Sequence, residues 1–73
     1  MQYEELKERV TMGEEFQFYY QNESYWISKN QRGFYLTRVS DSYSQSFLTA
    51  DDLFKNATID GKSIHNLWDE IDI

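Results

Sequence analysis

The sequence predicts an α+β fold: an N-terminal helix, a three- to four-stranded antiparallel meander, one short helix, and a C-terminal helix packed on the sheet. Three observations carry this. Between Phe16 and Val39, aromatic and β-branched residues come in short runs separated by turn formers, as strands of a meander do. On either side of that stretch, apolar residues recur at helical spacing. The 73 residues contain no proline, so the expectation is a single domain over 1–73 without a linker.

The first helix is expected over residues 2–11. Tyr3, Leu6 and Val10 form one stripe. Glu4 and Glu5 lie in the first turn and Lys7 and Arg9 nearer the end, the order the helix dipole prefers. Gly13 can end the helix in a left-handed cap. So short a helix holds only when docked on a sheet.

Three strands follow: Phe16-Gln17-Phe18-Tyr19-Tyr20, Tyr25-Trp26-Ile27 and Phe34-Tyr35-Leu36-Thr37-Arg38-Val39. A hairpin tip at Asn22-Glu23 sets Tyr20 opposite Tyr25 and Phe18 opposite Ile27. A loop at Asn30-Gln31-Arg32-Gly33 sets Ile27 opposite Leu36. Facing residues share a sheet face. One face then carries Phe16, Phe18, Tyr20, Tyr25, Ile27, Phe34 and Leu36, apolar enough for a core. The other carries Gln17, Tyr19, Gln21, Trp26, Ser28, Tyr35, Thr37 and Val39.

Ser40 to Ser46 is polar and reads as a loop, with a short fourth strand over Gln45–Leu48 anchored by Phe47. Thr49-Ala50-Asp51-Asp52 reads as a helix N-terminus, with Leu53 and Phe54 as its pins. Asn56 to Gly61 is a turn. Ser63 then caps a last helix over Ile64–Glu70, whose buried stripe is Ile64, Leu67, Trp68 and Ile71.

Composition bounds the function. A chain of this length buries only about 60% of its unfolded surface, so a partner or a dense core must help. There is no cysteine, which excludes disulfides and thiolate metal sites and fits a reducing cytosol. Thirteen aromatics can supply the core. No apolar run suits a membrane helix, and Met1-Gln2-Tyr3-Glu4-Glu5 does not open a signal peptide. The expected location is therefore cytoplasmic, and the sequons at Asn22 and Asn56 are chance spacings. The net charge of −6 is uneven, with −1 through Arg38 and −5 beyond it. That balance argues against a nucleic-acid duplex as partner and fits either a solvated acidic surface or a dock for a basic protein.

Candidate chemistry fails on its requirements. Asn56 to Ser63 ends like a phosphate-binding loop, but Asn stands where the first glycine should be and no strong strand precedes it. As a calcium loop the segment lacks the acidic twelfth ligand, since that position is Leu67. His65, the only histidine, sits four residues before Asp69 and reads as an exposed helical pair. Asp51-Asp52 and Asp69-Glu70-Asp72 read as surface acids near helix ends rather than as a hydrolytic pair. No serine or threonine sits in a nucleophile elbow. The expectation is therefore no catalytic residue, no metal, no cofactor and no enzyme activity.

The informative candidate is the trio Tyr19, Trp26 and Tyr35, which the pairing places on the second sheet face. The bland reading is that a helix covers the trio, or that it is an ordinary cross-strand aromatic cluster. A protein-binding or self-association face is the functional one, because Trp and Tyr are favoured at such surfaces. Stacking of single-stranded nucleic acid needs a basic groove, which an acidic chain does not offer.

The runs Glu15-Phe16-Gln17-Phe18-Tyr19-Tyr20, Tyr25-Trp26-Ile27, Gly33-Phe34-Tyr35-Leu36, Ile59-Asp60-Gly61-Lys62-Ser63-Ile64 and Leu67-Trp68-Asp69-Glu70-Ile71 resemble small uncharacterised proteins of Gram-positive bacteria and their phages. The resemblance implies a short stand-alone bacterial cytoplasmic protein and no activity. The expected function is a non-enzymatic protein-binding or regulatory module, with a protein partner or a homodimer. The alternative is an acidic mimic of nucleic acid that occupies a basic partner.

Overall fold

The structure, a computed structural model, describes residues 1–73. Helix α1 spans Tyr3–Thr11 and buries Leu6 and Val10. It ends at Gly13, whose φ of +102° suits glycine. The Gly13 N–H donates to the Val10 carbonyl at 2.9 Å and the Glu14 N–H to the Arg9 carbonyl at 3.1 Å, the paired bonds of a left-handed cap. Arg9 then folds back on Glu14 through two bonds of 3.0 and 2.8 Å and lies over the Phe16 ring, leading the chain into the sheet.

Strands β1 (Phe16–Tyr20), β2 (Glu23–Asn30), β3 (Gly33–Arg38) and β4 (Tyr43–Phe47) form an antiparallel meander in that order. The first hairpin turns at Gln21-Asn22, not at Asn22-Glu23. Both turn residues have positive φ, 49° and 65°, the backbone of a turn that matches strand twist. Phe18 therefore faces Tyr25 and Phe16 faces Ile27, two residues from the expected pairing. A two-residue slip keeps every side chain on its own face, whereas a one-residue slip would exchange the faces. Ile27 faces Leu36 as expected.

The fourth strand begins at Tyr43, two residues before the expected Gln45, and leaves Leu48 outside it. Asp41 explains the early start. Its carboxylate accepts from Arg38 Nη2 at 2.7 Å and Nε at 3.1 Å, and from the Tyr43 backbone N–H at 3.1 Å, closing the turn that polar composition alone reads as a longer loop.

Helix α2 spans Ala50–Asn56, with Thr49 Oγ1 accepting from the Asp52 N–H at 3.0 Å. Strands β5 (Thr58–Ile59) and β6 (Lys62–Ser63) make a small hairpin. Asp60 and Gly61 form its tip, both at positive φ.

The expected C-terminal helix is a correction. Residues 64–67 form turns, and only Trp68–Glu70 is helical, as a 3-10 turn. The Trp68 N–H bonds to the His65 carbonyl and the Glu70 N–H to the Leu67 carbonyl, three residues back rather than four. Ile64 and Leu67, three apart, are both fully buried, and this tighter winding keeps them on one side. The chain then straightens, so that Asp72 exchanges two backbone bonds of 2.9 Å with Tyr19. An α-helix through Ile71 would withdraw Asp72 from that edge.

The core is continuous and apolar. Leu6 and Val10 of α1, Leu53 and Phe54 of α2, and Ile64 and Leu67 near the C-terminus pack on Phe18, Ile27 and Leu36 of the sheet. All of this lies on one sheet face.

Candidate functional site

The opposite face has no helix over it. Tyr19 on β1 is 53% exposed and Trp26 on β2 is 45% exposed, while Tyr35 on β3 is half-buried. The register arranges them on a diagonal. Trp26 sits between Gln17 and Thr37, Tyr19 beside Ser24 one step along, and Tyr35 beside Ser28 one step the other way. Diagonal neighbours of this kind lie about 7–8 Å apart at the backbone, within reach of aromatic side chains. The aromatic ring pairs occur on the helix side instead: Phe18 stacks on Tyr25 at 5.4 Å, and Tyr3 meets Phe54, His65 and Trp68. The trio is therefore not a second core.

Between the rings the face is lined with neutral polar groups. Gln17 Nε2 donates to Ser24 Oγ at 2.8 Å, and Thr37 Oγ1 and Ser44 Oγ share a bond of 2.7 Å. The Tyr35 hydroxyl donates to Asn30 Oδ1 at 3.1 Å, and the same oxygen accepts from the Arg32 and Gly33 N–H groups. That network fixes the tyrosine to the second turn. Every strand residue on this side is Gln, Ser, Thr, Tyr, Trp, Asn or Gly, and none is charged. Arg32, in the second turn, lines a shallow depression with Asn30, Gln31 and Tyr35 at the rim of this face, while the two cations on the strands point the other way, as side-chain alternation requires. Lys29 lies over Phe34, and Arg38 lies over Tyr43 while bonded to Asp41. The face can offer flat apolar rings and neutral hydrogen bonds, but no phosphate-binding groove.

A shallow depression of about 490 Å³ lies between the two helices and β6. It is lined by Tyr3, Glu4, Lys7, Asp51, Lys55 and His65, among others. Lys7 is taken up by Asp51 at 3.0 Å, which keeps its ammonium pKa above the usual value. His65 does not meet Asp69. Its ring rests against Tyr3, with centroids 4.7 Å apart, because the segment is not an α-helix and a four-residue spacing no longer makes neighbours. The Asn56–Ser63 segment is the tight β5–β6 hairpin, so its backbone pairs with itself instead of wrapping a phosphate. No helix is long and apolar enough to cross a membrane.

Two features escape the sequence reading. One is the covering of the β1 edge at Tyr19 by Asp72, a backbone contact that carries no side-chain signature. The other is the outer edge of β4. Comparison with family models, with curated proteins and with solved structures yields no match for this chain.

Proposed function

We propose that this chain is a non-enzymatic protein-binding or regulatory module that works through the open sheet face, with Trp26 as its anchor and Tyr19 and Tyr35 on either side. The single observation that carries the reading is the exposure of an aromatic diagonal on an uncharged face, in a chain whose other surfaces are rich in charge. Aromatic residues with one polar handle are the favoured anchors of protein contacts, because they add large rigid contact area and can still hydrogen-bond at the rim. In keeping with its resemblance to small bacterial proteins, the module acts in the cytoplasm.

The test pairs binding with stability. Trp26→Ala should weaken capture of a partner from a bacterial lysate by about 2 kcal/mol, roughly thirtyfold, as a central anchor does. Urea unfolding of the same variant should move by less than about 1 kcal/mol, since the indole is only half shielded. Equal capture by parent and variant would sink the proposal.

A second reading is the acidic mimic. Its support is the uneven charge, with −5 of the net −6 lying beyond Arg38. This reading predicts a basic partner that is released by modest salt and indifferent to Trp26→Ala.

A further inference from the structure

The two edges of the main sheet are treated differently. On β1, Tyr19 exchanges both backbone bonds with Asp72, so the chain covers that edge at one residue beside the first turn and leaves Gln17 outward. On β4 no residue is covered in this way. The Val39 N–H donates to the Ser24 carbonyl at 2.9 Å, which fixes the odd-numbered residues of β3 as those bonded to β2. The even-numbered ones, Phe34, Leu36 and Arg38, then bond to Phe47, Gln45 and Tyr43. It follows that Ser44 and Ser46 direct their N–H and C=O groups outward, away from the sheet.

Exposed edges of this kind are usually blunted by lysine, proline, a bulge or an inward charge. None is present here. Ser42 to Ala50 is the longest uncharged stretch of the chain, between Asp41 and Asp51. Tyr43 and Leu48 on it are 58% and 82% exposed.

We propose that this edge pairs with the β4 edge of a second copy of the chain, antiparallel across a twofold axis at Gln45, to give a continuous eight-stranded sheet. The strand itself points to a copy rather than to a foreign strand. A twofold antiparallel pairing at Gln45 sets Ser44 against Ser46 and Tyr43 against Phe47, and the sequence Tyr43-Ser44-Gln45-Ser46-Phe47 is a palindrome in character about that centre. A twofold asks only that each contact be returned, and here each returned contact is compatible, small serine on small serine and ring on ring. The register also uses every outward backbone group, because Ser44 and Ser46 each exchange both bonds with the other copy's Ser46 and Ser44. The small serines leave the open face unobstructed, and the exposed Tyr43 ring gains an aromatic neighbour. Two chains of net charge −6 repel in general, but they meet here along a segment with no charge. Both aromatic diagonals end on the same side of the joined sheet, which makes the assembly bivalent. The pairing rests on β4 alone and stands or falls independently of any role for Trp26.

Sedimentation of the full chain over a concentration series tests it. The parent should reach a dimer. Ser44→Pro removes one outward N–H per chain without touching the β3 ladder, so two bonds are lost per dimer. At about fivefold per net hydrogen bond, the dimer dissociation constant should rise about 25-fold, while the melting curve falls only by what the lost Thr37–Ser44 hydroxyl bond contributes. Ser46→Lys, a charge on the edge, should give the same result if proline disturbs the strand. Gln45→Cys places the only cysteine of the chain at the axis, where facing Cα atoms lie about 4.5 Å apart; it also gives up the two bonds of 2.8 and 3.0 Å by which the Gln45 amide holds the Thr58 backbone, so the variant is first checked for a cooperative melt, and oxidation should then yield a covalent dimer. Ser28→Cys, on the open face, should not. A parent that stays monomeric up to about 1 mM refutes the pairing and leaves the edge to a strand of another protein. A dimer that ignores Ser44→Pro and Ser46→Lys, or that cross-links through Ser28→Cys instead, refutes it in favour of face-to-face contact.

Discussion

Gly33→Ala should be among the most damaging single-methyl additions in this chain. Gly33 opens β3 at φ +154°, and a Cβ built there would lie 2.3 Å from the Phe47 carbonyl oxygen and 3.3 Å from its carbon. Both atoms are backbone, so no rotamer relieves the contact. Strands lie about 4.8 Å apart, and restoring ordinary contact means opening β3 from β4 by about 1 Å where Phe34 pairs with Phe47. The two bonds of that pair contribute about 1 kcal/mol each. Holding a non-glycine residue in this backbone region costs a further ~1–3 kcal/mol. The expected loss is about 3–5 kcal/mol, against a total stability of roughly 4–11 kcal/mol for a domain of this size.

Gly61→Ala is the control. Gly61 has φ +76°, and nothing lies within 4 Å of an added Cβ. Only the left-handed cost remains, ~1–2 kcal/mol. Urea unfolding followed by tryptophan fluorescence and far-ultraviolet circular dichroism measures both. If Gly33→Ala costs no more than Gly61→Ala, the close approach of β3 and β4 at Phe47 does not exist, and the register of the last hairpin is wrong.

Other perturbations probe the core and the third turn. Phe18, 1% exposed and stacked on Tyr25, should lose about 3–5 kcal/mol on truncation to Ala, and a midpoint within a few degrees of the parent would refute the face assignment. The Arg38 guanidinium, with help from the Tyr43 N–H, holds the Asp41 carboxyl at about 2, below the ordinary 3.8. A carboxyl depressed on folding adds stability that is full above the unfolded pKa and lost as pH falls through the folded one. Urea midpoints should therefore drop between about pH 4 and pH 2, and Asp41→Asn should shrink that limb to the part that Glu14, lowered by Arg9, supplies; an unchanged limb would refute the Asp41 contribution.

Much of this fold is legible because side-chain alternation survives an error in register. The expected pairing of β1 with β2 is two residues out, yet Phe18, Tyr20, Tyr25, Ile27, Phe34 and Leu36 are all buried and Tyr19 and Trp26 are not. Parity depends only on which residues are odd or even, while register depends on the turn. Gln21-Asn22 lacks the glycine that marks such turns, so composition does not locate it. The C-terminal segment misleads for the opposite reason. Ile64, Leu67, Trp68 and Ile71 satisfy a helical stripe, but the same spacings suit turns and a 3-10 winding, and only the pull of Asp72 to Tyr19 decides between them. That pull is a backbone contact between residues far apart in sequence, which periodicity cannot register. The trio was readable as a shared face. Its exposure was not, because whether a helix covers a face depends on how many helices the chain has.

That supply of helices also bears on why the rings are there. Two short helices and the C-terminal turns cover one side of a four-stranded sheet, and none of them lies over the other. A sheet face turned to water is made stable by cross-strand pairs and polar side chains, and this one has them in Gln17 with Ser24 and Thr37 with Ser44. Those bonds would serve equally well with Thr or Gln at positions 19 and 26. An indole 45% exposed and a phenol 53% exposed forgo much of the burial that makes aromatics stabilising. Folding thus gives a reason for the hydroxyls and little reason for Tyr19 and Trp26. The free energy those rings leave unused at the surface is what a partner would recover by covering them.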